Sequence, residues 1–379
     1  MKKKLMLLPS AVFVCFIFLM VVLLIVTPKK NYSSSEKRYL ADFPETNIST
    51  VTDGSFESGF EEYLADHFPF RNMWIGVNAY CNYFVGNNGS DGVYKCADGY
   101  LINEPIKADN RVKTNIETLK KFSETADVPM TLTLAPSTGY IMSDKLPTVH
   151  NEYIDDSVFD SVQSLLKDSK IDFVDLRDSF KDATAKGNQL YYRTDHHWTT
   201  RGAYTAYTEL CKGLGIEPIS ETAYEKESFE NFYGTTYSTS GFWFTPPDDI
   251  ELWINKKNTE EKIDLTITEG DKETEYHSMF FRTHLDEDDK YPVFIDGNHS
   301  VETIVNKNIK SGKVLVLKDS FCHSMAPFLA DSCSTVTLVD MRYYKNSITD
   351  LVKNGSYDRV LVVYGIDNFA TDTDLVWLK

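Results

Sequence analysis

Several rhythms of apolar and polar residues succeed one another along this chain. Residues 5–27 carry no charge and are interrupted only by Pro9, Ser10 and Thr27. About 23 such positions at ~1.5 Å each make ~34 Å of helix, enough to cross a bilayer. Lys2, Lys3 and Lys4 precede the run, and Pro28, Lys29 and Lys30 close it. A cleaved signal peptide has a shorter apolar region and a small-x-small site. Neither is visible, so residues 1–30 are expected to be an uncleaved membrane anchor. Residues 31–52 are polar and rich in Ser and Thr, the composition of a tether.

From Phe56 the spacing becomes helical: Phe56, Phe60, Tyr63 and Leu64, then Asp66-His67-Phe68-Pro69-Phe70-Arg71, then Met73, Trp74, Val77, Tyr80 and Phe84. That predicts two helices broken at Pro69. Helical stretches at 110–125 and 155–168 each stand next to an apolar run, 128–135 and 171–176, and strand, helix and strand in that order predict a parallel βαβ unit. Residues 313–317, 335–339 and 359–364 are near-continuous β-branched runs, as in strands covered on both faces. Between these halves, about 225–308 holds alternating segments such as 263–268, read as a small β-rich insertion. Residues 53–379 are therefore expected to fold as one α/β domain with a parallel central sheet.

At 379 residues, 42% hydrophobic and 25% charged, the chain is neither disordered nor fibrous. Its net charge of −17 argues against nucleic acid and anionic lipid as partners. Residues 1–30 hold five of the 39 basic residues and none of the 56 acidic ones, so the remainder carries −22. Flanking charge leaves topology nearly tied, with three lysines before the span and Lys29, Lys30, Lys37 and Arg38 after it. The short charged tail before a first span favours an external domain. Beyond Cys15 the cysteines are Cys81, Cys96, Cys211, Cys322 and Cys333, an odd number without a C-x-x-C pair. Buried free thiols are the expectation, with Cys81–Cys96 or Cys322–Cys333 the alternatives.

The densest polar cluster is Tyr191 to Gly202, ahead of a helix from Ala203 for which Thr199 or Thr200 is a fitting N-cap. If the segment is extended, Asp195 and His197 share a face and His196 points the other way. A carboxylate beside an imidazole fixes its tautomer and stabilises its charged form. Three readings compete: a structural loop, a metal site on Asp195, His196 and His197, and an acid–base pair that lacks a nucleophile. The best nucleophile is Ser320, at the tip of the strand at 313–317, where a helix start can receive an oxyanion. An N-cap serine is the plainer alternative. Cys322 lies inside the apolar helix. Ser137 and Tyr140 are expected in a substrate loop, Asn298 is a possible oxyanion donor, and Asp66, His67 and Arg71 read as capping and packing.

Thr194-Asp195-His196-His197-Trp198 resembles the T-D-x-H-W signature of the DHHW family, relatives of the alginate O-acetyltransferases with an SGNH-hydrolase-like fold. Asp66-x-Phe68-x-x-Arg71 and Asp319-Ser320-Phe321 are similar to that family's early D-x-F-x-x-R and late D-S-[FY] elements. The resemblance implies a three-layer α/β sandwich and a triad of Asp195, His197 and Ser320, permuted relative to ordinary SGNH hydrolases. Lys318 stands where G-D-S has glycine, which leaves the oxyanion hole open. It also implies a membrane-anchored extracytoplasmic O-acyltransferase, without cofactor or metal. Its partners would be an exported polysaccharide and an acyl-supplying membrane-bound O-acyltransferase of the MBOAT type. Tyr192, Arg193 and Trp198 join Ser137, Tyr140 and Asn298 as expected substrate contacts, and Tyr191, Phe242, Trp243 and Phe244 are further candidates for stacking on sugar rings. The alternatives are a carbohydrate acetyl esterase and a non-catalytic glycan-binding scaffold.

Overall fold

A computed structural model describes residues 2–107 and 109–378, with only the backbone of residues 2–7. The chain divides into two units, one of residues up to Ser90 with Ser238–Trp243, the other of Asp91–Tyr237 and Phe244 onward.

In the first unit α1 (Lys2–Val26) contains Leu8–Val26, 19 residues of mean hydropathy 3.0, long and apolar enough to cross a membrane. The segment expected as a tether is clasped. Tyr32–Ser33 pairs antiparallel with Arg38–Tyr39. Arg38 then donates to Asp66 at 2.9 and 2.5 Å, and Arg71 to Glu36 at 2.9 and 3.0 Å. The Arg38 guanidinium holds the Asp66 carboxyl down at about 2. α2 (Ser55–Asp66) and α3 (Arg71–Phe84) are the two helices broken at Pro69, and Phe70 takes the left-handed conformation at the break. Asp66 and Arg71 thus do the packing work expected of them.

The second unit is built on one sheet. In chain order the strands of that sheet and of the hairpin beside it in sequence are β1 (Met130–Ala135), β2 (Ile171–Asp175), β3 (Tyr224–Phe232), β4 (Asp248–Asn255), β5 (Ile263–Glu269), β6 (Lys272–Tyr276), β7 (Val301–Asn306), β8 (Lys313–Lys318), β9 (Thr335–Val339) and β10 (Arg359–Gly365), and the short strands Val93–Lys95 and Leu101–Asn103 pair apart from them. The spatial order is β6-β5-β7-β9-β8-β10-β1-β2, while β3 and β4 pair separately. From β9 to β2 all neighbours are parallel. β7, β5 and β6 extend that core antiparallel. The sheet is therefore mixed, and three strands of the stretch read as an insertion belong to it. In β5, Ile263, Leu265 and Ile267 are buried while the residues between are not, a one-sided pattern that fits a sheet flank as well as an appendage.

Helices cover both faces. Leu315 and Leu317 of β8 share a core with α4 (Arg111–Ala126), α5 (Asp155–Leu166) and the helix Ile348–Gly355, while Val314 and Val316 face the helices Thr200–Leu214 and Ala326–Ser332. This is the three-layer arrangement. It leaves the carboxyl ends of β8, β10 and β1 together at one edge of the sheet. All six cysteines are unpaired; Cys81 is exposed and Cys96, Cys211, Cys322 and Cys333 are buried.

Candidate active site

Tyr191 and Trp198 form an antiparallel bridge, so the six residues between them turn back on themselves. Asp248 at the start of β4 fixes the turn by accepting the amides of Arg193 and Thr194 and the Thr194 hydroxyl, all within 3.0 Å. Because the segment bends, His196 does not point away from His197. The two rings lie 3.8 Å apart at 37°.

Asp195 is buried and fully bonded. Its Oδ1 accepts the His197 amide at 2.8 Å and His197 Nδ1–H at 2.6 Å, and its Oδ2 accepts the Thr235 amide at 2.7 Å and hydroxyl at 3.1 Å. Burial alone would raise its pKa. The neighbouring His197 imidazole and these donors outweigh it and hold the group well below the carboxylate range. Gly234 makes the approach possible, since a Cβ there would stand 2.1 Å from Asp195 Cβ.

His197 Nε2 lies 2.8 Å from Ser320 Oγ, joining residues 123 apart in sequence. With Nδ1–H donated to Asp195, Nε2 turns its lone pair to the Ser320 hydroxyl. The His197 ring stacks on Tyr291, centroids 4.0 Å apart at 10°, and the Tyr291 hydroxyl donates to the Ser320 carbonyl at 3.1 Å. Ser320 follows β8 on a short 3₁₀ turn capped by Asp319. Asp319 accepts the Phe321 amide, the Gly365 amide and Asn368 Nδ2 at 2.7–2.9 Å, lacing the end of β8 to that of β10.

A cavity of about 70 Å³ opens beside this chain, with His196, Phe321, Ser137, Thr236, Asp367 and Asn368 in its wall. One ligand atom each of Asp195, His196 and His197 can be chosen within 4.8 Å of the others, the proximity a metal site needs. Both His197 nitrogens are engaged in hydrogen bonds and His196 Nδ1 meets Thr235 Oγ1 at 2.5 Å, which leaves His196 Nε2 as the imidazole nitrogen of the three residues outside these bonds.

The expected substrate contacts separate. Trp198 and Tyr192 are 0% and 1% exposed, so neither ring offers a face to a sugar. Trp198 Nε1 donates to Ser324, and Tyr192 packs on Phe232. Arg193 is half-buried and engages Asp248 through its amide. Ser137 donates its amide and hydroxyl to buried Asp155 and lines the cavity. The Tyr140 hydroxyl lies between Asp156 and Lys181. Asn298 is exposed and accepts from Arg342, which leaves it tied to that side chain. Tyr191 is buried and Phe244 exposed. Asp248, Thr235, Gly234, Tyr291 and Asn368 carry no sequence signal, because each reaches the site through a long-range contact. Gly365-Ile366-Asp367-Asn368, a strand end opening a helix, is the one pattern that could have pointed there.

Residues 175–339 match the DHHW protein family, and residues 102–240 the SGNH hydrolase-like domain of the acetyltransferase AlgX. The probable alginate O-acetylase AlgJ of Azotobacter vinelandii is 22% identical over 199 residues, 50% of this chain and 51% of that protein. The chain thus spans about half the length of the curated relatives it matches. A DHHW family protein from Eubacterium siraeum superposes with a TM-score of 0.64 at 21% identity, over 76% of this chain and 95% of that one. Bacillus cereus PatB1 with a sulfonyl adduct gives 0.63 at 19%, over 76% and 98%. The resemblance read from Thr194 to Trp198 holds, and the chain carries the DHHW pattern on an SGNH-hydrolase-like α/β fold.

Proposed function

We propose that the protein is a membrane-anchored serine O-acyltransferase, in the simplest case an O-acetyltransferase, that esterifies hydroxyls of an exported polysaccharide. The observation that carries this reading is the unbroken Asp195–His197–Ser320 hydrogen-bond chain beside a cavity. Ser320 Oγ attacks the acyl carbonyl as His197 Nε2 takes its proton. The oxyanion is received by the Ser320 backbone N–H and by the Asn368 amide hydrogen not engaged with Asp319. His197 returns the proton to the leaving group, and an acyl-serine remains. A sugar hydroxyl then gives its proton to His197 and attacks the acyl carbon, the bond to Ser320 Oγ breaks, and His197 passes the proton to Oγ, so that the sugar ester leaves and Ser320 is restored.

The probable alginate O-acetylases among the relatives support acetyl as the acyl group and polysaccharide as the acceptor class. The apolar helix Leu8–Val26 supports an anchor that holds the catalytic unit on the extracytoplasmic side, where an MBOAT-type protein supplies the acyl group.

The test is a serine-directed fluorophosphonate probe on the full-length protein. The wild type labels at Ser320, and Ser320→Ala loses both the label and at least ~10³-fold of transfer with an unchanged unfolding midpoint. An unlabelled wild type is the outcome a non-catalytic scaffold gives, and free acetate in place of sugar ester is the outcome an esterase gives. Full activity in Ser320→Ala contradicts the mechanism.

A further inference from the structure

The cavity lined by His196 and Phe321, the chain neighbours of His197 and Ser320, presents polar groups that the hydrogen-bond chain does not use. Thr236 is 2% exposed, and its hydroxyl has no hydrogen-bond partner although it stands in the cavity wall. Burying an unbonded hydroxyl is costly, and sites that leave one free are commonly completed by a ligand or water. His196 shares the wall, its Nδ1 held by Thr235 Oγ1 and Nε2 left for a guest. Asp367 brings a carboxyl from the turn after β10, next to the Asn368 that braces Asp319. Apolar surface comes from Phe321 and from Tyr153, whose hydroxyl is taken by the Asn103 carbonyl.

No Lys or Arg is present among the described residues of the wall. His196 supplies no positive charge either, because burial and the neighbouring His197 bring it down to about 4. Behind Ser137 a second carboxyl, Asp155, is buried within hydrogen-bond distance, and burial followed by its repulsion pushes Asp367 up to about 7. Every charge available to this cavity is therefore negative or absent. A uronate carboxylate entering it would meet Asp367 with no cation to pair with, in a protein part that already carries −22. A volume of about 70 Å³ holds several waters, enough for an acetyl group and the hydroxylated edge of one sugar rather than a whole ring.

We infer that this cavity is the acceptor subsite for an uncharged sugar unit, whose hydroxyls bond to Thr236 Oγ1, His196 Nε2 and the Asp367 carboxyl, and that it disfavours uronates. This rests on the acyl-transfer reading and goes beyond it by naming the acceptor class. It also separates this chain from relatives named for alginate, a polyuronate.

The experiment gives full-length protein p-nitrophenyl acetate and an equimolar mixture of neutral and uronate oligosaccharides of equal length. Acetylated products and acetyl-Ser320 are both read by mass spectrometry. The wild type is expected to favour the neutral acceptor by at least about ten-fold, the scale of one unpaired charge contact. Asp367→Lys should shift that ratio toward the uronate by about ten-fold or more. Asp367→Asn, which preserves shape, should shift it the same way by less. Thr236→Val should raise KM for the neutral acceptor several-fold with a smaller change in kcat. Acetyl-Ser320 with a wild-type preference for uronate, or with a ratio unmoved by both Asp367 variants, overturns the subsite inference alone. Absence of acetyl-Ser320 overturns the acyl-transfer reading and the inference with it.

Discussion

Two buried clusters, each with a carboxylate and an imidazole, flank Ser320, and they are built on opposite principles. In Asp195–His197–Ser320 the carboxylate accepts four hydrogen bonds and both imidazole nitrogens are engaged. In Glu302–Lys318–His323 all three side chains are sealed, and Lys318 Nζ lies 3.2 Å from Glu302 Oε2 and 2.7 Å from His323 Nε2. Glu302 has neither oxygen in hydrogen-bond geometry, and His323 Nδ1 is unpartnered. Burial pushes Glu302 up to about 7 against the pull of Lys318, whereas Asp195 is held far below the usual range. The same residue types yield an ionised, oriented carboxylate where backbone and hydroxyl donors converge, and a marginally charged strut where a lone ammonium does. Neither cluster's own side chains line the cavity, but His196 and Phe321, the chain neighbours of His197 and Ser320, do.

The contrast predicts that mutations in the first cluster act on rate and those in the second on stability. Asp195→Asn should lower acyl transfer by ~10³–10⁴-fold, because the His197 tautomer is lost, with a small change in folding free energy. An equal loss of rate and stability would erase the distinction. Lys318→Met removes the ammonium that pairs with Glu302 and should destabilise the fold by about 3–5 kcal/mol in denaturant titration.

The third prediction concerns pH. The folded-state pKa of Glu302 is raised from 4.5 to about 7, so the native state holds its proton more tightly than the unfolded chain does. Its contribution to stability is full below about 4.5 and is lost as pH rises through about 7. Glu302→Gln abolishes that loss. The stability of the variant minus that of the wild type should therefore rise between those limits, by up to ~1.4 kcal/mol per pH unit. His323, held well below its usual value by burial and by Lys318, gives the opposite slope below pH 6.5 and conceals the effect in the wild type. A flat difference curve would mean that Glu302 is paired as well as Asp195. The smallest effect is that of Tyr291→Phe, which loses the bond to the Ser320 carbonyl but keeps the ring on His197. It should slow transfer only several-fold, read in kcat more than in KM.

Much of the first cluster is legible in the sequence. Asp195 and His197 stood in one short polar string, and Ser320 followed a β-branched run that only a buried parallel strand explains. What was not legible depended on contacts far apart in the chain. Asp248 reaches back 54 residues to Thr194, and Arg71 35 residues to Glu36, so the turn that pairs the imidazoles and the clasp on the supposed tether had no local signature. Tyr192 and Trp198 show a different limit, since an aromatic beside a catalytic string is as suited to packing as to sugar. Lys318 looked like a missing glycine. In the fold it is the cation that closes the second cluster.

In the proposed mechanism Ser320 carries the acyl group between donor and sugar. Full-length protein exposed briefly to an activated acetyl ester, digested and mapped by mass spectrometry, tests it directly. One acetyl group is expected on the peptide containing Ser320, removed when a sugar acceptor is added and absent in Ser320→Ala. Acetylation that is missing from Ser320, or that persists unchanged in Ser320→Ala, would contradict it.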